Sequence, residues 1–384
     1  MAASEATAAT PQVSFVDDPL TVRVALRRVD AEVVGVDVER ADADRYFRRA
    51  ALVQVGVEEA CVLLDTVALD TLPDLDALLD DRHLTVLHAL ENDLEPLAAL
   101  GVTPTRVADT AIAAALLGLP TGLSKLLGEL LDVQLTEDKE AYQRADWEQR
   151  PLPDGMAAYA AGDVVHLPAL WATLAERLRA AGRMSWYEEE LAATVAATQE
   201  EGRDWTRVKG SGRLDPTQRA VLRALWEARE HAARSHDIAP NRLVHDDVLR
   251  DLALDPPRTE AQLVRRSPRR RALLREHAGP LFAAVEAALV GPPEPKARSA
   301  RFTPQERDVY DALRRRRAAL AEAIGLEPGV LCPSKVLWSA VAGRPGDGRE
   351  LCALAGLRSW QAELLAEPLW EAYVIAGGED HTDG

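Results

Sequence analysis

Asp37 and Glu39 stand two residues apart at the end of an apolar run, Val33-Val34-Gly35-Val36. A short β-branched run of this kind predicts a strand. On a strand, i and i+2 point to one face. Two carboxylates would then emerge side by side and repel unless a cation lay between them. Magnesium and manganese, which take oxygen ligands, suit such a pair. A strand end passing into solvent also carries acidic residues, so the pair alone leaves both readings open. Tyr159 and Asp163 fall in a helical pattern at i and i+4, which share a helix face. A phenol and a carboxylate would project together there, or a core tyrosine would sit beside an exposed aspartate. Asp93 follows Leu87-His88-Ala89-Leu90-Glu91-Asn92. It is expected in the first turn of a helix, where the dipole favours an anion.

The elements that must position these groups are legible as short runs. Strands are predicted over 12–16, 33–39, 50–57, 60–65 and 84–88, with a hairpin through Glu58 and Glu59. Helical patterns cover 19–29, 73–80, 92–100, 109–117, 123–131, 154–161 and 163–181. Strands first, then helices with one strand interleaved, imply an α/β domain with a mixed sheet. Two polar linkers follow, over 200–214 and 291–303. Each leads to a capping residue before proline, Asp215-Pro216 and Thr303-Pro304, which marks a helix start. Residues 215–290 and 304–376 show no strand pattern. They are expected to form two small helical bundles of similar length, and two copies of one module is one reading of them. Residues 1–11 and 377–384 are expected to be tails.

With 384 residues, two or three domains are expected. Hydrophobic residues are 47% and charged residues 28%, which excludes wholesale disorder and fibrous structure. No apolar run has the length of a membrane span, and the first residues lack the pattern of a secretory signal. Three widely spaced cysteines, Cys61, Cys332 and Cys352, form no CxxC pair. No disulfide framework or zinc cluster is implied, and a cytoplasmic location is expected. The net charge is −17, and it is unevenly spread. Residues 1–200 carry 16 basic and 35 acidic side chains, residues 201–300 carry 19 and 14, and the rest carry 10 and 13. An acidic domain can serve hydrated cations, and a basic segment can hold a polyanion. Solubility alone would also account for the imbalance.

In this order, Asp37 and Glu39, then Asp93, then Tyr159 and Asp163 resemble the three motifs of the DEDD exonucleases, in the subgroup with a tyrosine in the third motif. Val34-Gly35-Val36-Asp37-Val38-Glu39-Arg40, Leu52-Val53-Gln54-Val55, Ala108-Asp109-Thr110, Ala145-Asp146-Trp147 with Arg150-Pro151-Leu152, and Tyr159-Ala160-Ala161-Gly162-Asp163 are similar to the ribonuclease D family. Trp205 to Gly210 and Leu225-Trp226-Glu227-Ala228-Arg229-Glu230 resemble the entry to its HRDC domain. The likeness runs from residue 12 to about 290 and is weaker over 304–376.

The resemblance implies a ribonuclease H-like α/β nuclease domain over 12–199, its mixed sheet flanked by helices, followed by two all-α HRDC-like helical domains. It implies a 3′–5′ exoribonuclease that releases nucleoside 5′-monophosphates, with two divalent ions, Mg²⁺ or Mn²⁺, as cofactors. Asp37 would bridge both ions, Glu39 and Asp163 would complete one site, and Asp93 would support the other. Tyr159 would orient the attacking water. The expected partner is RNA with a free 3′ end, such as a tRNA precursor, bound by a monomer. Gln54 and His88 are candidates for the active-site wall, and Trp147 and Arg150 for contacts near it. Gln54, His88 and Trp147 each also have a plain packing role to fall back on. Arg265, Arg266, Arg269, Arg270 and Arg271 form the densest basic run and are candidates for phosphate contacts, with Arg314 to Arg317 a second run. A DNA 3′ exonuclease and an inactive RNA-binding scaffold are the alternatives.

Overall fold

The computed structural model of the chain describes residues 11–41, 44–47, 49–135, 142, 145–200, 204–266, 271–295 and 303–377. Six strands make one sheet: β1 (Gln12–Val16), β2 (Val33–Arg40), β3 (Ala50–Val57), β4 (Ala60–Asp65), β5 (Leu84–Leu87) and β6 (Val107–Asp109). Their order across the sheet is β1-β4-β3-β2-β5-β6. β3 and β4 form the predicted hairpin, antiparallel with Val57 opposite Ala60. β1 on β4, β2 on β5 and β5 on β6 are parallel, so the sheet is mixed. β6 is only three residues long; the sequence pattern predicts no strand there and begins the following helix at Asp109. Pairing with β5, not local propensity, makes it a strand.

Among the described residues, the helices that accompany the sheet include α1 (Pro19–Leu26), α2 (Pro73–Leu78), α3 (Leu94–Ala99), α4 (Thr110–Leu116), α5 (Leu123–Leu131), α6 (Asp154–Val165), α7 (Leu167–Ala180) and α8 (Met184–Glu200). The sequence pattern divides the region after residue 154 near Gly162. The break falls at His166 instead, because Pro168 begins a new helix at its second position. Tyr159 and Asp163 therefore share one helix, α6. α8 has no counterpart in the predicted elements. It packs on two sides: Tyr187 meets Trp171 of α7 with ring centroids 5.0 Å apart, and Trp186 meets the C-terminal region.

Glycine lets α6 lie directly on the sheet. A Cβ at Gly35 on β2 would fall 2.2 Å from the Val164 carbonyl oxygen, and one at Gly56 on β3 would fall 2.6 Å from Val164 Cγ2. The alternation of a strand then puts Asp37 and Glu39 on the face that meets α6.

By contacts the chain divides into two units. One combines Met1–Glu39 and Ala51–Gln199 with Ala300–Gly384; the other combines Arg40–Ala50 with Glu200–Ser299. The second unit holds α9 (Pro216–Ser235), α10 (Pro240–Leu243), α11 (Asp246–Leu254), α12 (Glu260–Arg266), α13 (Arg271–Glu276) and α14 (Ala278–Val290). Its core includes Val221, Leu222, Leu225, Leu249, Leu252 and Leu281. The C-terminal helices of the first unit are α15 (Pro304–Ala323), α16 (Pro328–Leu331), α17 (Ser334–Gly343), α18 (Gly348–Ala355) and α19 (Ser359–Ile375).

The two helical groups repeat one design. α9 and α15 both open with a capping box and proline, at Asp215-Pro216 and Thr303-Pro304. At the same spacing beyond each proline stands a buried arginine. Arg229 donates to the Val244 carbonyl (2.9 Å) and the Asp246 carboxylate (2.6 Å). Arg317 donates to the Cys332 carbonyl (2.7 Å) and the Ser334 hydroxyl (3.1 Å). In both, the guanidinium ties the long first helix to the start of the third.

Within the first unit, the C-terminal helices dock on α8. Trp186 stacks on Trp360 with ring centroids 4.7 Å apart. Glu189 accepts from the Ser359 backbone N–H at 2.6 Å, and Glu190 from Trp360 Nε1 at 3.0 Å. Arg183 donates to the carbonyls of Leu116 (2.7 Å) and Ile324 (2.5 Å).

A three-carboxylate candidate metal centre

The end of β2 and the last turn of α6 bring Asp37, Glu39 and Asp163 together. Each offers a carboxylate oxygen, and these oxygens lie within 4.8 Å of one another. The donors are oxygen only, which suits hard divalent cations and not thiolate- or imidazole-seeking ones. Burial raises the Asp37 carboxyl from its ordinary range to about 6, against a backbone hydrogen bond from Val38 that pulls it down. A half-buried cluster of like charges is costly without a counter-charge.

Tyr159 stands one helical turn before Asp163. Its phenol is pushed far above its ordinary pKa by burial, by the charges of Asp163 and Glu39, and by a hydrogen bond to Asp163. It stays protonated at any ordinary pH. Its ring is 6% exposed and packs beside Trp147 and Tyr142, with centroids 6.1 and 5.4 Å away.

Asp93 is buried at the start of α3 and is not among the three grouped carboxylates. The turn that leads to it is built by Asp109. That side chain is fully buried; it accepts from the Leu90 N–H at 2.7 Å and caps α4 through the Ile112 N–H at 2.8 Å. Tyr187 accepts from the Asp109 N–H at 2.8 Å. Between β5 and Asp93, Ala89 adopts a left-handed φ of 63°, a conformation that costs energy for a residue with a Cβ. In the sequence, an aspartate before Thr110 signals only the local cap. Its second bond, to Leu90, is a tertiary matter.

The remaining candidates are placed less evenly. His88 Nδ1 lies 2.8 Å from the Thr110 hydroxyl, and the ring is half-buried. Gln54 is wholly buried on β3, and Trp147 is 3% exposed with its Nε1 donating to the Tyr142 carbonyl at 3.1 Å. Neither presents a face to a bound strand. Arg150 has all five guanidinium hydrogens engaged. Nε donates to Asp65 Oδ2 (2.8 Å), Nη1 to the carbonyls of Trp147 and Gln149 (both 2.8 Å), and Nη2 to the Ala51 carbonyl (3.0 Å) and Asp65 Oδ1 (2.5 Å). With no donor left for phosphate, Arg150 braces the segment before α6 against β3 and β4. Arg265 and Arg266 are exposed on α12, Arg266 paired to Asp255. Arg271 begins α13, while Arg269 and Arg270 lie outside the described residues. The run at 314–317 is largely used within the fold: Arg317 is buried, Arg316 faces Glu371 at 3.5 Å, and Arg314 faces Asp311 at 3.5 Å.

A mixed six-stranded sheet carries the clustered carboxylates at the end of its β2 strand, and two helical modules follow it in the chain. Residues 13–179 match the family model described as 3′-5′ exonuclease, and residues 218–285 and 306–373 each match the HRDC domain. The chain is 31% identical over 372 residues to the ribonuclease D of Pseudomonas paraeruginosa, covering 94% of this chain and 98% of that one. It is 34% identical over 257 residues to that of Sphingobium indicum, 64% of this chain and 65% of that one. The fold matches the crystal structure of Escherichia coli RNase D, titled an exoribonuclease involved in structured RNA processing, with TM-score 0.80 and 24% identity over 95% and 99% of the two chains. A Bifidobacterium adolescentis protein matches with TM-score 0.74 and 26% identity over 94% and 97%.

The chain belongs to the ribonuclease D family. It is a hydrolase of the 3′–5′ exoribonuclease class.

Proposed function

We propose that the protein shortens RNA from the 3′ end by two-metal-ion hydrolysis, releasing nucleoside 5′-monophosphates, and that 3′ ends of precursor tRNA and other small structured RNAs are its substrates. The observation that carries this reading is the meeting of Asp37, Glu39 and Asp163 within 4.8 Å beside the Tyr159 phenol. Mg²⁺ or Mn²⁺, when bound, would supply a low-pKa water and neutralise charge on the phosphate and leaving oxygen.

The chain's own residues do the rest. Asp37, Glu39 and Asp163 hold the cations, and Asp93 supports them from the start of α3. Asp37 must be deprotonated to serve as a ligand, which its raised pKa delays until about pH 6. Tyr159 keeps its proton, so it acts as a hydrogen-bonding positioner for the attacking water and not as a base. We read residues 12–199 as the nuclease domain and 215–290 and 304–376 as two helical HRDC modules. Arg265 and Arg266 offer the first module's exposed positive charge to RNA phosphates. Among the described residues no helix is long and apolar enough to cross a membrane. We place the protein in the cytoplasm as a monomer.

The test uses a 3′-tailed tRNA and its matched DNA, each labelled at the 5′ end, with Mg²⁺ or Mn²⁺ and then with chelator. A ladder of single-nucleotide steps on RNA, lost with chelator, is expected. Equal shortening of the DNA would make it a general 3′ exonuclease. Binding without shortening in either metal would make it a scaffold.

A further inference from the structure

Asp93 follows the turn that leaves β5, and the dipeptide Asp109-Thr110 holds that turn. Leu87, the last residue of β5, lies opposite Asp109 on β6. The Thr110 hydroxyl donates to the Leu87 carbonyl at 3.2 Å, and His88 Nδ1 lies 2.8 Å from the same hydroxyl. Asp109 Oδ2 accepts from the Leu90 N–H at 2.7 Å. The Leu90 carbonyl in turn accepts from the Asp93 N–H at 3.1 Å, and the Asp93 carbonyl accepts from the Leu97 N–H at 3.0 Å to start α3. One residue, Leu90, therefore links the Asp109 carboxylate to the backbone of Asp93. Leu87, Leu90, Asp93, Asp109 and Tyr187 all belong to the first unit.

A helix cap needs only one carboxylate oxygen. Asp109 gives Oδ1 to the Ile112 N–H at 2.8 Å as the cap of α4, and its second oxygen is used on the turn before Asp93. Hydrogen bonds to an ionised acceptor are the strong ones. Ala89, directly before Leu90, is left-handed at a φ of 63°. A residue with a Cβ keeps such a backbone only where its surroundings fix it, and these conformations gather at functional sites. Asp109 is itself held in place. Its N–H donates to the Tyr187 hydroxyl at 2.8 Å, and Tyr187 is buried on α8 against Trp171 of α7, with ring centroids 5.0 Å apart.

We propose that Asp109 is a positioning residue for Asp93, fixing through Leu90 the backbone from which that carboxylate supports the cations. The proposal rests on the reading of Asp93 as a cation support. Outer groups that orient ligands change metal affinity without touching the metal. The effect of Asp109 is then confined to the part of cation binding that needs Asp93, which a general loosening of the fold would not be.

The experiment measures Mn²⁺ binding to the full chain by titration calorimetry, without RNA, alongside thermal melts. Asp109→Asn keeps an oxygen for the Ile112 cap and puts an amide nitrogen, which cannot accept, opposite the Leu90 N–H. Weaker Mn²⁺ binding, about tenfold, is expected. Asp93→Asn should weaken binding at least as much, and adding Asp109→Asn to Asp93→Asn should bring no further loss. A merely structural role would weaken binding equally in both backgrounds. Wild-type affinity in a folded Asp109→Asn overturns the proposal, and so does a full further loss in the Asp93→Asn background. If Asp93→Asn itself binds Mn²⁺ like wild type, the reading of Asp93 fails and the inference falls with it. If Asp109→Asn does not fold, Tyr187→Phe decides by the same two comparisons, because it keeps the ring and removes the acceptor of the Asp109 N–H.

Discussion

A side chain at Gly35 would collide with the Val164 carbonyl oxygen, its Cβ only 2.2 Å away. Gly35 is two residues before Asp37, and Val164 is one after Asp163. This close approach of β2 to α6 therefore lies beside the residues that carry the carboxylates. Gly35→Ala is expected to push α6 off β2, destabilise the fold by about 1–3 kcal/mol, and lower activity more than its stability loss explains. Thermal melts and turnover of the still-folded protein test this. Full turnover in a Gly35→Ala variant would show that the approach is not needed.

If the cluster holds the catalytic cations, Asp37→Ala and Asp163→Ala should each cut cleavage by more than about 10³-fold. RNA binding should remain measurable by filter retention. Near-normal turnover in either would show that the cluster is not the catalytic centre.

Tyr159→Phe keeps the buried ring and removes only the hydroxyl. If that hydroxyl positions water, kcat should fall roughly 10- to 100-fold while KM and the melting temperature change little. A fall in the melting temperature with unchanged kcat would assign the phenol to packing.

The raised pKa of Asp37 has a signed consequence. Its folded-state value, about 6, exceeds its ordinary 3.8. Protonation therefore favours the metal-free fold, and that contribution is lost as pH rises through about 6. Metal binding needs the deprotonated form, so Mn²⁺ affinity should climb over the same interval. Calorimetry at pH 5, 6 and 7 should show proton release on binding that is largest on the acid side. Affinity independent of pH over this range would contradict the assignment.

Arg150→Ala should destabilise by about 3–5 kcal/mol, because it strands the buried Asp65 carboxylate. The Arg150 guanidinium holds the Asp65 carboxyl below its ordinary range. That stability is present above pH 4 and is lost as pH falls through the folded-state value. RNA affinity of the folded fraction should not change. Direct loss of RNA affinity at full foldedness would restore Arg150 as a phosphate contact.

The placement of the candidate site's residues was legible in the sequence to the extent that it is local. A β-branched run ending in Asp-Val-Glu makes a strand and aims both carboxylates one way. An i, i+4 pair on a helix aims Tyr159 and Asp163 together. The caps at Asp215 and Thr303 are written in adjacent residues, and both formed capping boxes. These outcomes depend on neighbours a few positions away, which the sequence displays directly.

Only the tertiary structure decided how the arginines are used. Arg150 matches a nuclease motif by type, but its five donors meet partners as far away as Asp65 and Ala51. Arg317 belongs to a basic run by spacing, yet it is buried under the start of the third helix of its module. The β6 strand and the docking of α8 likewise exist only through partners far along the chain. A guanidinium or a carboxylate looks the same in sequence whether it faces solvent or a buried carbonyl. Folding determines which polar groups are desolvated, and a desolvated group must find its hydrogen bonds inside the protein.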